Sequence, residues 1–438
     1  MSASQLDKFK VDHLFLLIGE NPLPNYVAAK TLVNKGGTIY LVHTTDTYET
    51  AKNLKIILIQ EDNKFKDVEL ITIQDYESDA HYIKTEINKT IDKISVGKVG
   101  LNYTGGTKAM SSHAYRTLFY EEIKENNQNN QNNKKYKQRP DIVFSYLDAR
   151  KLEMCIDKEN GERERIKIQP TTLEVELVKL FNLHRLNLTN TPEKESKLPN
   201  LATAMAHLFS DETKRKLWFS GFYKDFCNQG RRTKPNGSKE WKSEPKLMEV
   251  SVSTDNLPEE IVTAFKEENF VIDNKLSLKQ VQKTNSFAKL KHFCEWLDGL
   301  WLEHYMLEEV KKIRAKQFIN ENYGMTFKIP LEGTKDGFEF DIAFTRGYQL
   351  FAISCTTDDN RKICKQKLFE AYLRARQMGG DEARVILVCC SDAPDSIKAE
   401  IGNLLDQKKI AVFGCEDLID LSIKISHWIK QKDEEVAQ

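Results

Sequence analysis

The chain contains few cysteines and no excess of charge of either sign. Its 438 residues include 8 cysteines, and 65 lysines and arginines balance 65 aspartates and glutamates. Because no two cysteines have the C-x-x-C spacing, we expect reduced thiols and no zinc site. The balanced charge gives no global field that would attract nucleic acid. The balance does not exclude a nucleic-acid partner that binds in one local groove.

Long hydrophobic segments are missing as well. No apolar run approaches the length that crosses a bilayer, and residues 14–18 indicate only a buried strand. The opening residues, MSASQLDKFK, contain no apolar signal region. We therefore expect a cytoplasmic protein without a membrane partner. Its length is sufficient for two or three domains with full cores.

The N-terminal third alternates short apolar runs with helical stretches, which predicts βαβ units and a mostly parallel sheet. A helix is predicted over residues 26–33. Strands are predicted at residues 13–18, 38–43, 70–73, 98–103 and 142–146. Ligands of such sheets usually bind beyond the carboxyl ends of the strands. Two loops, 19–25 and 104–108, follow predicted strands and are placed for this role.

The second of these loops reads Thr-Gly-Gly-Thr-Lys. Its glycines let the backbone approach a ligand closely, and a helix N-terminus with Lys108 favours an anion. It lacks the G-x-x-x-x-G-K spacing of a Walker loop, and a Gly-Gly turn before a helix is by itself more often structural. Together with the Asn-Pro-Leu-Pro-Asn loop at 21–25 it favours a phosphate-bearing ligand.

Residues 338–359 predict two adjacent strands that carry acidic and small polar residues. Glu339 and Asp341 alternate on the first strand, so both carboxylates are expected on one face of the sheet. The second strand, 350–353, ends in Ser354, Cys355 and Thr356. Carboxylates beside such groups are typical of a hard-cation site. A solvated amphipathic hairpin is the competing interpretation.

The regions around this hairpin predict further elements. Helices are predicted at 170–185 with a Thr-Thr cap, at 287–316 with a break at Gly299, at 362–378 and at 395–405. Strands are predicted at 384–390 and 410–413, so the C-terminal order is typical of a restriction-endonuclease-like domain. The Asn/Gln/Lys tract at 125–140 and the basic loop at 231–246 are interpreted as solvated loops, the latter anchored by Trp241.

The stretches NPLPNYVAAK and LNYTGGTKAMS resemble the CARF domain, the Rossmann-like sensor of cyclic oligoadenylates in type III CRISPR defence. The resemblance implies a homodimer that holds one cyclic ligand, with cyclic tetra-adenylate as the family expectation. By position, the implied ligand-binding residues are Asn21, Pro22, Asn25, Thr104, Gly105, Gly106, Thr107 and Lys108.

With the acidic hairpin downstream, the chain resembles the CARF-fused PD-(D/E)xK ancillary nucleases. This implies an α/β protein with a Rossmann-like CARF sensor domain at 1–158 and a small winged-helix-like connector at 159–285. A restriction-endonuclease-like PD-(D/E)xK domain would follow at 286–438. Glu303, in the stretch GLWLEHY, matches the glutamate that precedes the catalytic sheet in that family.

The same resemblance implies a metal-dependent active site. Glu303, Asp341 and the backbone carbonyl of Cys355 would hold Mg²⁺ or Mn²⁺. The implied catalytic residues are Glu303, Asp341, Ser354, Thr356 and Lys362. Thr356 stands where the family has a lysine, and losing one such charge commonly costs about a hundred- to a thousandfold in rate.

Three explanations of Thr356 stay open at this point. In the first, Lys362 or Lys365 of the next helix reaches back into the site. In the second, the domain is a weakened or inactive nuclease that only binds nucleic acid. In the third, the sequence is a deliberately inactivated variant. The leading hypothesis is a cyclic-oligoadenylate-activated, metal-dependent nuclease that cleaves DNA, RNA or both in antiviral defence. A ligand-responsive nucleic-acid-binding regulator and an inactive sink for the cyclic messenger are the alternatives.

Overall fold

The computed structural model describes residues 2–61, 64–123, 135–139, 141–158, 162, 164–330, 337–402 and 404–437. Most of the tract at 125–140, interpreted above as a solvated loop, lies outside the described residues. Within the described ranges, none of the helices combines the length and apolar character that a bilayer span requires. All eight cysteines are free thiols.

The N-terminal part is built on a seven-stranded sheet that follows the helix α1 (Ser2–Asp7). Its strands are β1 (Val11–Leu17), β2 (Val33–His43), β3 (Phe65–Thr72), β4 (Val99–Asn102), β7 (Val143–Asp148), β8 (Glu153–Asp157) and β9 (Glu164–Lys167), and a separate hairpin pairs β5 (Tyr120–Ile123) with β6 (Lys135–Gln138). The helices of this part are α2 (Leu23–Leu32), α3 (Tyr48–Ile59), α4 (Ala80–Ile91) and α5 (Lys108–Phe119).

The strand order in this sheet is β3-β2-β1-β4-β7-β8-β9. The first five strands are parallel, and β8 and β9 add antiparallel pairs at one edge. The predicted parallel sheet is therefore confirmed. Chain order reverses between β1 and β4, so the loops that follow these two strands lie at a topological switch point.

Alternate side chains of β1 pack on opposite faces of this sheet. Leu14 and Leu16 belong to one hydrophobic cluster and Phe15 and Leu17 to another. The first cluster includes residues of α2 and α3, and the second includes residues of α4 and α5. Helices therefore cover both faces, as a buried parallel sheet requires.

A connector of short elements follows α6 (Leu177–Leu183). Its helices are α7 (Pro199–Ser210), α8 (Glu212–Ser220), α9 (Phe222–Gly230), α10 (Glu244–Leu247), α11 (Glu259–Glu267) and α12 (Leu278–Lys283). Its strands form the hairpin β10 (Arg231–Thr233) with β11 (Lys239–Trp241), and a sheet of β12 (Ser251–Ser253), β14 (Lys275–Ser277) and β13 (Val271–Ile272). The predicted domain boundaries at residues 158 and 285 stay predictions.

In the region from residue 170 to residue 246, one prediction is wrong and one is confirmed. The predicted Thr-Thr helix start is wrong, because α6 begins only at Leu177 and Val175 instead donates its backbone N–H to the carbonyl of Gly347. The anchored tryptophan is confirmed. Trp241 packs 5.5 Å from the ring of Phe226, and the guanidinium of Arg231 lies 4.3 Å from the Trp241 ring centroid.

The C-terminal part is a five-stranded mixed sheet with helices on both sides. The sheet is preceded by α13 (Leu290–Glu295), a π-helical turn (Trp296–Leu300) and α14 (Trp301–Ile313). Gly299 has non-helical backbone angles within that turn, so the predicted break at Gly299 is confirmed. The sheet order is β15 (Gly324–Ile329), β16 (Phe338–Arg346), β17 (Gln349–Thr356), β18 (Arg384–Cys389) and β19 (Ile410–Phe413). The remaining helices are α15 (Arg361–Gly379), α16 (Pro394–Ile401) and α17 (Leu421–Ala437).

The two faces of this second sheet bury different partners. Leu350 and Ala352 of β17 join the cluster that also contains β1 side chains and the helices α15 and α16. Phe351 and Ile353 join the cluster formed by the connector together with α14 and α17. The C-terminal sheet is thus packed between the N-terminal domain and the connector.

Candidate functional site

Asp341 is fixed by the strand that pairs with its own. Ile342 of β16 pairs with Ile353 of β17, and this register puts Asp341 opposite Ser354. Oδ2 of Asp341 accepts hydrogen bonds from the Ser354 hydroxyl at 3.0 Å and from the Cys355 backbone N–H at 2.6 Å. Bonds of this kind hold a carboxylate in one orientation.

A lysine on the following helix completes the cluster. Nζ of Lys367 lies 3.7 Å from Oδ2 of Asp341 and donates to the Cys355 carbonyl at 3.2 Å. Burial alone would lower the pKa of Lys367, but Asp341, Cys355 and Glu303 together outweigh burial and the pKa is raised. The lysine of this helix that contacts Asp341 is therefore Lys367, whereas the prediction named Lys362 or Lys365. Lys362 is exposed on the first turn, and Lys365 pairs with Glu400 at 2.6 Å instead.

Glu303 adds a second carboxyl group from the first turn of α14. Burial raises its pKa well above the ordinary value, and the charges of Asp341 and Glu339 raise it further. Burial also raises the pKa of Glu339. Three acids therefore share a region in which Lys367 is a cation that lowers the pKa of both glutamates. Two glutamates with raised pKa values beside a further carboxylate are typical of functional sites.

The predicted alternation of Glu339 and Asp341 on one face is not maintained along β16. Phe338 and Phe340 belong to the cluster shared with the N-terminal domain, whereas Ile342 belongs to the connector-side cluster, although strict alternation would put all three on one face. The face of the strand therefore changes at Asp341. The neighbouring position in β15 is Thr326, whose φ of +62° is unusual for a β-branched residue. Irregular strand geometry of this kind re-aims side chains near functional sites.

Thr356 and His304, which adjoin Cys355 and Glu303 in the sequence, have local structural partners. The Thr356 hydroxyl accepts a hydrogen bond from the Asp358 N–H at 3.2 Å, so it shapes the loop after β17. Nδ1 of His304 accepts from the Lys197 N–H at 3.0 Å. Burial lowers the pKa of His304 to about 4, which keeps this imidazole neutral near pH 7.

The oxygen atoms of this cluster fit a hard divalent cation. The carboxyl groups of Glu303 and Asp341 and the carbonyl of Cys355 are donors that Mg²⁺ and Mn²⁺ accept. Among the described residues, no group of three or more His, Cys, Asp or Glu side chains is arranged to hold a metal. A cation here would therefore have two side-chain ligands, and Lys367 would share the Cys355 carbonyl with it.

A cavity of about 870 Å³ lies between the connector and the loop that follows β17. Thr357, Asp358 and Asp359 line it on the side of the acidic cluster. Lys216 and Phe219 of α8 line it on the connector side. The side chains of Glu303, Asp341 and Lys367 are not among the residues that line this cavity.

The two loops at the switch point of the first sheet pack directly against each other. A Cβ atom at Gly19 would lie 3.2 Å from the backbone N of Gly106. A Cβ atom at Gly105 would overlap the carbonyl oxygen of Leu17 and lie 3.1 Å from Oδ1 of Asn25. Only glycine fits at position 105, because the loop backbone passes against the end of β1.

Asn25 has an unusual environment in this pair of loops. Its side chain is fully buried and donates from Nδ2 to the Leu17 carbonyl at 2.8 Å. Its Oδ1 has no hydrogen-bond partner among the described residues. A buried acceptor without a donor is costly, and a ligand donor would reach Oδ1 only after the two loops move apart.

The remaining loop residues predicted to bind a ligand lie around Asn25. Asn21 accepts at Oδ1 from the Leu23 N–H at 2.9 Å, and Pro22 is buried at the start of α2. Thr104 accepts from the Leu147 N–H at 2.7 Å. Thr107 caps α5 by accepting from the Met110 N–H, and Lys108 is exposed on its first turn. The structure thus brings the predicted residues of both loops to one edge of the sheet.

These features define a class of protein. It is a mixed α/β protein in which a Rossmann-like domain, with two loops packed together at its switch point, contacts a second sheet with clustered acids and a lysine. Residues 14–144 match the family model described as the Card1 CARF domain. The N-terminal domain is therefore a CARF domain, and the match ends before the connector and the C-terminal sheet.

Two solved structures are similar along nearly the whole chain. Protein VC1899 from Vibrio cholerae is 14% identical, with a TM-score of 0.64 over 96% of this chain and 98% of that chain. Can2 from Sulfobacillus thermosulfidooxidans, solved in complex with cyclic tetra-adenylate, is 15% identical, with a TM-score of 0.63 over 95% of this chain and 99% of that chain. At these identities the likeness concerns the fold. No curated protein sequence matches the chain significantly.

Proposed function

We propose that this protein is a cyclic-oligoadenylate-activated, metal-dependent nuclease of type III CRISPR defence. The observation that carries the proposal is the cluster of Asp341, Glu303 and Lys367 in a chain whose N-terminal domain is a CARF domain. The likeness to Can2, which was solved with cyclic tetra-adenylate, supports this ligand class for the sensor loops.

In the C-terminal site, each side chain has a role in phosphodiester hydrolysis. Glu303, Asp341 and the Cys355 carbonyl would hold Mg²⁺ or Mn²⁺, which polarises the phosphoryl oxygen and activates water when bound. Lys367 places a full positive charge beside Asp341 and can stabilise the negative charge that develops on the phosphate. Ser354 and the Cys355 N–H keep Asp341 oriented. Lys367 therefore takes over the charge that Thr356 lacks.

In the CARF domain, the loops at 19–25 and 104–108 would bind the cyclic ligand as a homodimer. The N-terminal N–H groups of α5 and Lys108 favour phosphate, and the unpartnered Oδ1 of Asn25 suits an amino or hydroxyl donor. We propose that the substrate is DNA, RNA or both.

A cleavage assay tests this function. The full chain is incubated with plasmid and single-stranded DNA and RNA, with Mn²⁺ or Mg²⁺, and with or without cyclic tetra-adenylate. We expect cleavage only when metal and cyclic ligand are both present, and none with Asp341→Asn. Ligand binding without cleavage of any substrate would contradict the nuclease function and favour a regulator or a messenger sink.

A further inference from the structure

The helix α15 joins the two candidate sites within one protomer. Lys367 lies near its beginning, beside Asp341, and its end at Gly379 leads into the turn Gly380–Glu382. At a rise of 1.5 Å per residue, Lys367 and Gly380 are about 20 Å apart. The helix therefore extends from the acidic cluster to the far end of β17.

The turn after α15 touches a sensor loop of the CARF domain. Gly380 has φ +63°, and a Cβ atom there would lie 2.5 Å from Nδ2 of Asn21 and 2.9 Å from Oε2 of Glu382. The other end of the Asn21 amide accepts from Leu23 at the start of α2. Asn21 is thus held between its own loop and the turn of the C-terminal domain.

The packing of α15 allows little independent movement of its two ends. A Cβ atom at Gly379 would lie 2.9 Å from the Cβ atoms of Leu350 and Ala383. Leu368, Tyr372 and other residues on the same face of the helix are buried against the sheet. A displacement of the turn would therefore move the helix as a unit and carry Lys367 with it.

The turn also stores an unfavourable contact that a second state can relieve. Both carboxyl oxygens of Glu382 are buried without a hydrogen-bond partner among the described residues, and so is the hydroxyl of Tyr348. The backbone carbonyl of Glu382, in contrast, accepts hydrogen bonds from the side chains of Gln349 and Arg384. An unsatisfied buried carboxyl group costs free energy, so a state of the turn that gives Glu382 a partner would recover part of that cost.

We propose that the Asn21–Gly380 contact couples the sensor loops to the position of Lys367, with α15 as the connecting element. This inference rests on the proposed function, because it assigns the path by which an occupied sensor alters the acidic site. Gly380 is a positioning residue: it acts on the reaction through Lys367.

A pair of glycine substitutions tests the coupling. Gly380→Ala adds a Cβ atom against Asn21 at a positive φ. Gly237→Ala adds one at φ +81° in the β10–β11 hairpin, where no atom lies within 4 Å. At saturating cyclic tetra-adenylate, confirmed by calorimetry, we expect Gly380→Ala to bind the ligand but to lose on the order of tenfold or more of the ligand-stimulated rate. Gly237→Ala should behave like the unsubstituted protein.

Hydrogen exchange provides a second readout that does not need nuclease activity. Ligand should change the exchange of α15 amides in the unsubstituted protein and in Gly237→Ala, but not in Gly380→Ala. Gly380→Asn repeats the test with less backbone strain, because asparagine tolerates positive φ. Unchanged stimulation in both Gly380 variants, or an α15 that does not respond to ligand in the unsubstituted protein, would overturn the coupling. A ligand response in α15 without any cleavage would instead overturn the nuclease function alone.

Discussion

Lys367 is the residue on which the proposed chemistry depends most directly. Its ammonium group is held by two oxygen atoms, one from Asp341 and one from the Cys355 backbone. A lysine so placed comes from helix α15, whereas the family pattern has it on the strand at the position of Thr356. The charge is the same although the element that supplies it differs.

Replacing Lys367 by methionine should lower the cleavage rate about a hundred- to a thousandfold, because the developing phosphate charge loses its cation. Single-turnover cleavage with Mn²⁺ and saturating cyclic ligand measures this. Lys365→Met, on the same helix but paired with Glu400, should stay within about twofold. Adding Thr356→Lys to Lys367→Met should recover part of the rate. Equal losses in Lys365→Met and Lys367→Met would argue against the assigned role.

Glu382 makes stability depend on pH. Burial and, to a smaller extent, the charge of Asp381 raise its pKa to about 7 against the opposing charges of Lys409 and Arg384. Below about pH 4.5 the carboxyl group is protonated in both states, and as the pH rises through 7 the folded state loses on the order of 3 kcal/mol relative to the unfolded state.

Urea unfolding at pH 5 and pH 8 checks this consequence. In Glu382→Gln, the free energy of unfolding should fall less between pH 5 and pH 8 than in the unsubstituted protein, by on the order of 3 kcal/mol. Glu370→Gln, an exposed position on α15, is the matched control and should keep the original pH dependence. If Glu382→Gln and Glu370→Gln unfold with the same pH dependence, Glu382 is ionised in the folded protein.

At the scale of elements, the loop at 104–108 should be the least tolerant part of the sensor. Gly105→Ala would place a Cβ atom against the Leu17 carbonyl, where backbone must move. We expect cyclic tetra-adenylate binding to weaken by at least about tenfold, measured by calorimetry. Gly36→Ala has a strained φ of +79° but open space around it, so it should cost about 1 kcal/mol of stability and no affinity. Unchanged affinity in Gly105→Ala would remove this loop from the ligand site.

Much of the element pattern is predictable from the sequence, because buried strands and amphipathic helices leave clear periodicities. The strands β1 and β19 and the break at Gly299 follow from such patterns. The helix at α6 starts later than the Thr-Thr cap suggests, because tertiary pairing of Val175 with Gly347 keeps the chain extended. The strand β15 was not predicted, because it is short and contains Thr326 in a left-handed conformation.

The candidate site was less predictable than the strands that carry it. Asp341 and Ser354 follow from the pairing of two adjacent strands, which is a local feature. Lys367 depends on how α15 lies along β17, and in sequence it is one of several lysines on a polar helix. The only available signal was that a helix follows the strand and that a lysine from it could reach back.

At the scale of the whole molecule, the C-terminal sheet stabilises both of its neighbours. Leu350 is buried on the CARF side of β17, and Phe351 is buried on the connector side. Leu350→Ala should therefore raise amide exchange preferentially in β1, and Phe351→Ala preferentially in α7, because each leaves a cavity worth about 2–5 kcal/mol on one face. Hydrogen exchange with mass spectrometry measures both. The same pattern of exchange in both variants would contradict this division of the sheet.

The central position of this sheet also has a consequence for synthesis on the ribosome. The sheet that separates the CARF domain from the connector is encoded after both of them, from β15 at residue 324 to β19 at residue 413. Until its strands emerge, the apolar surfaces of both earlier parts have no covering layer, and such surfaces are prone to aggregation. A nascent chain would thus complete the cluster of Glu303, Asp341 and Lys367 only after α15 has emerged, well after the CARF domain.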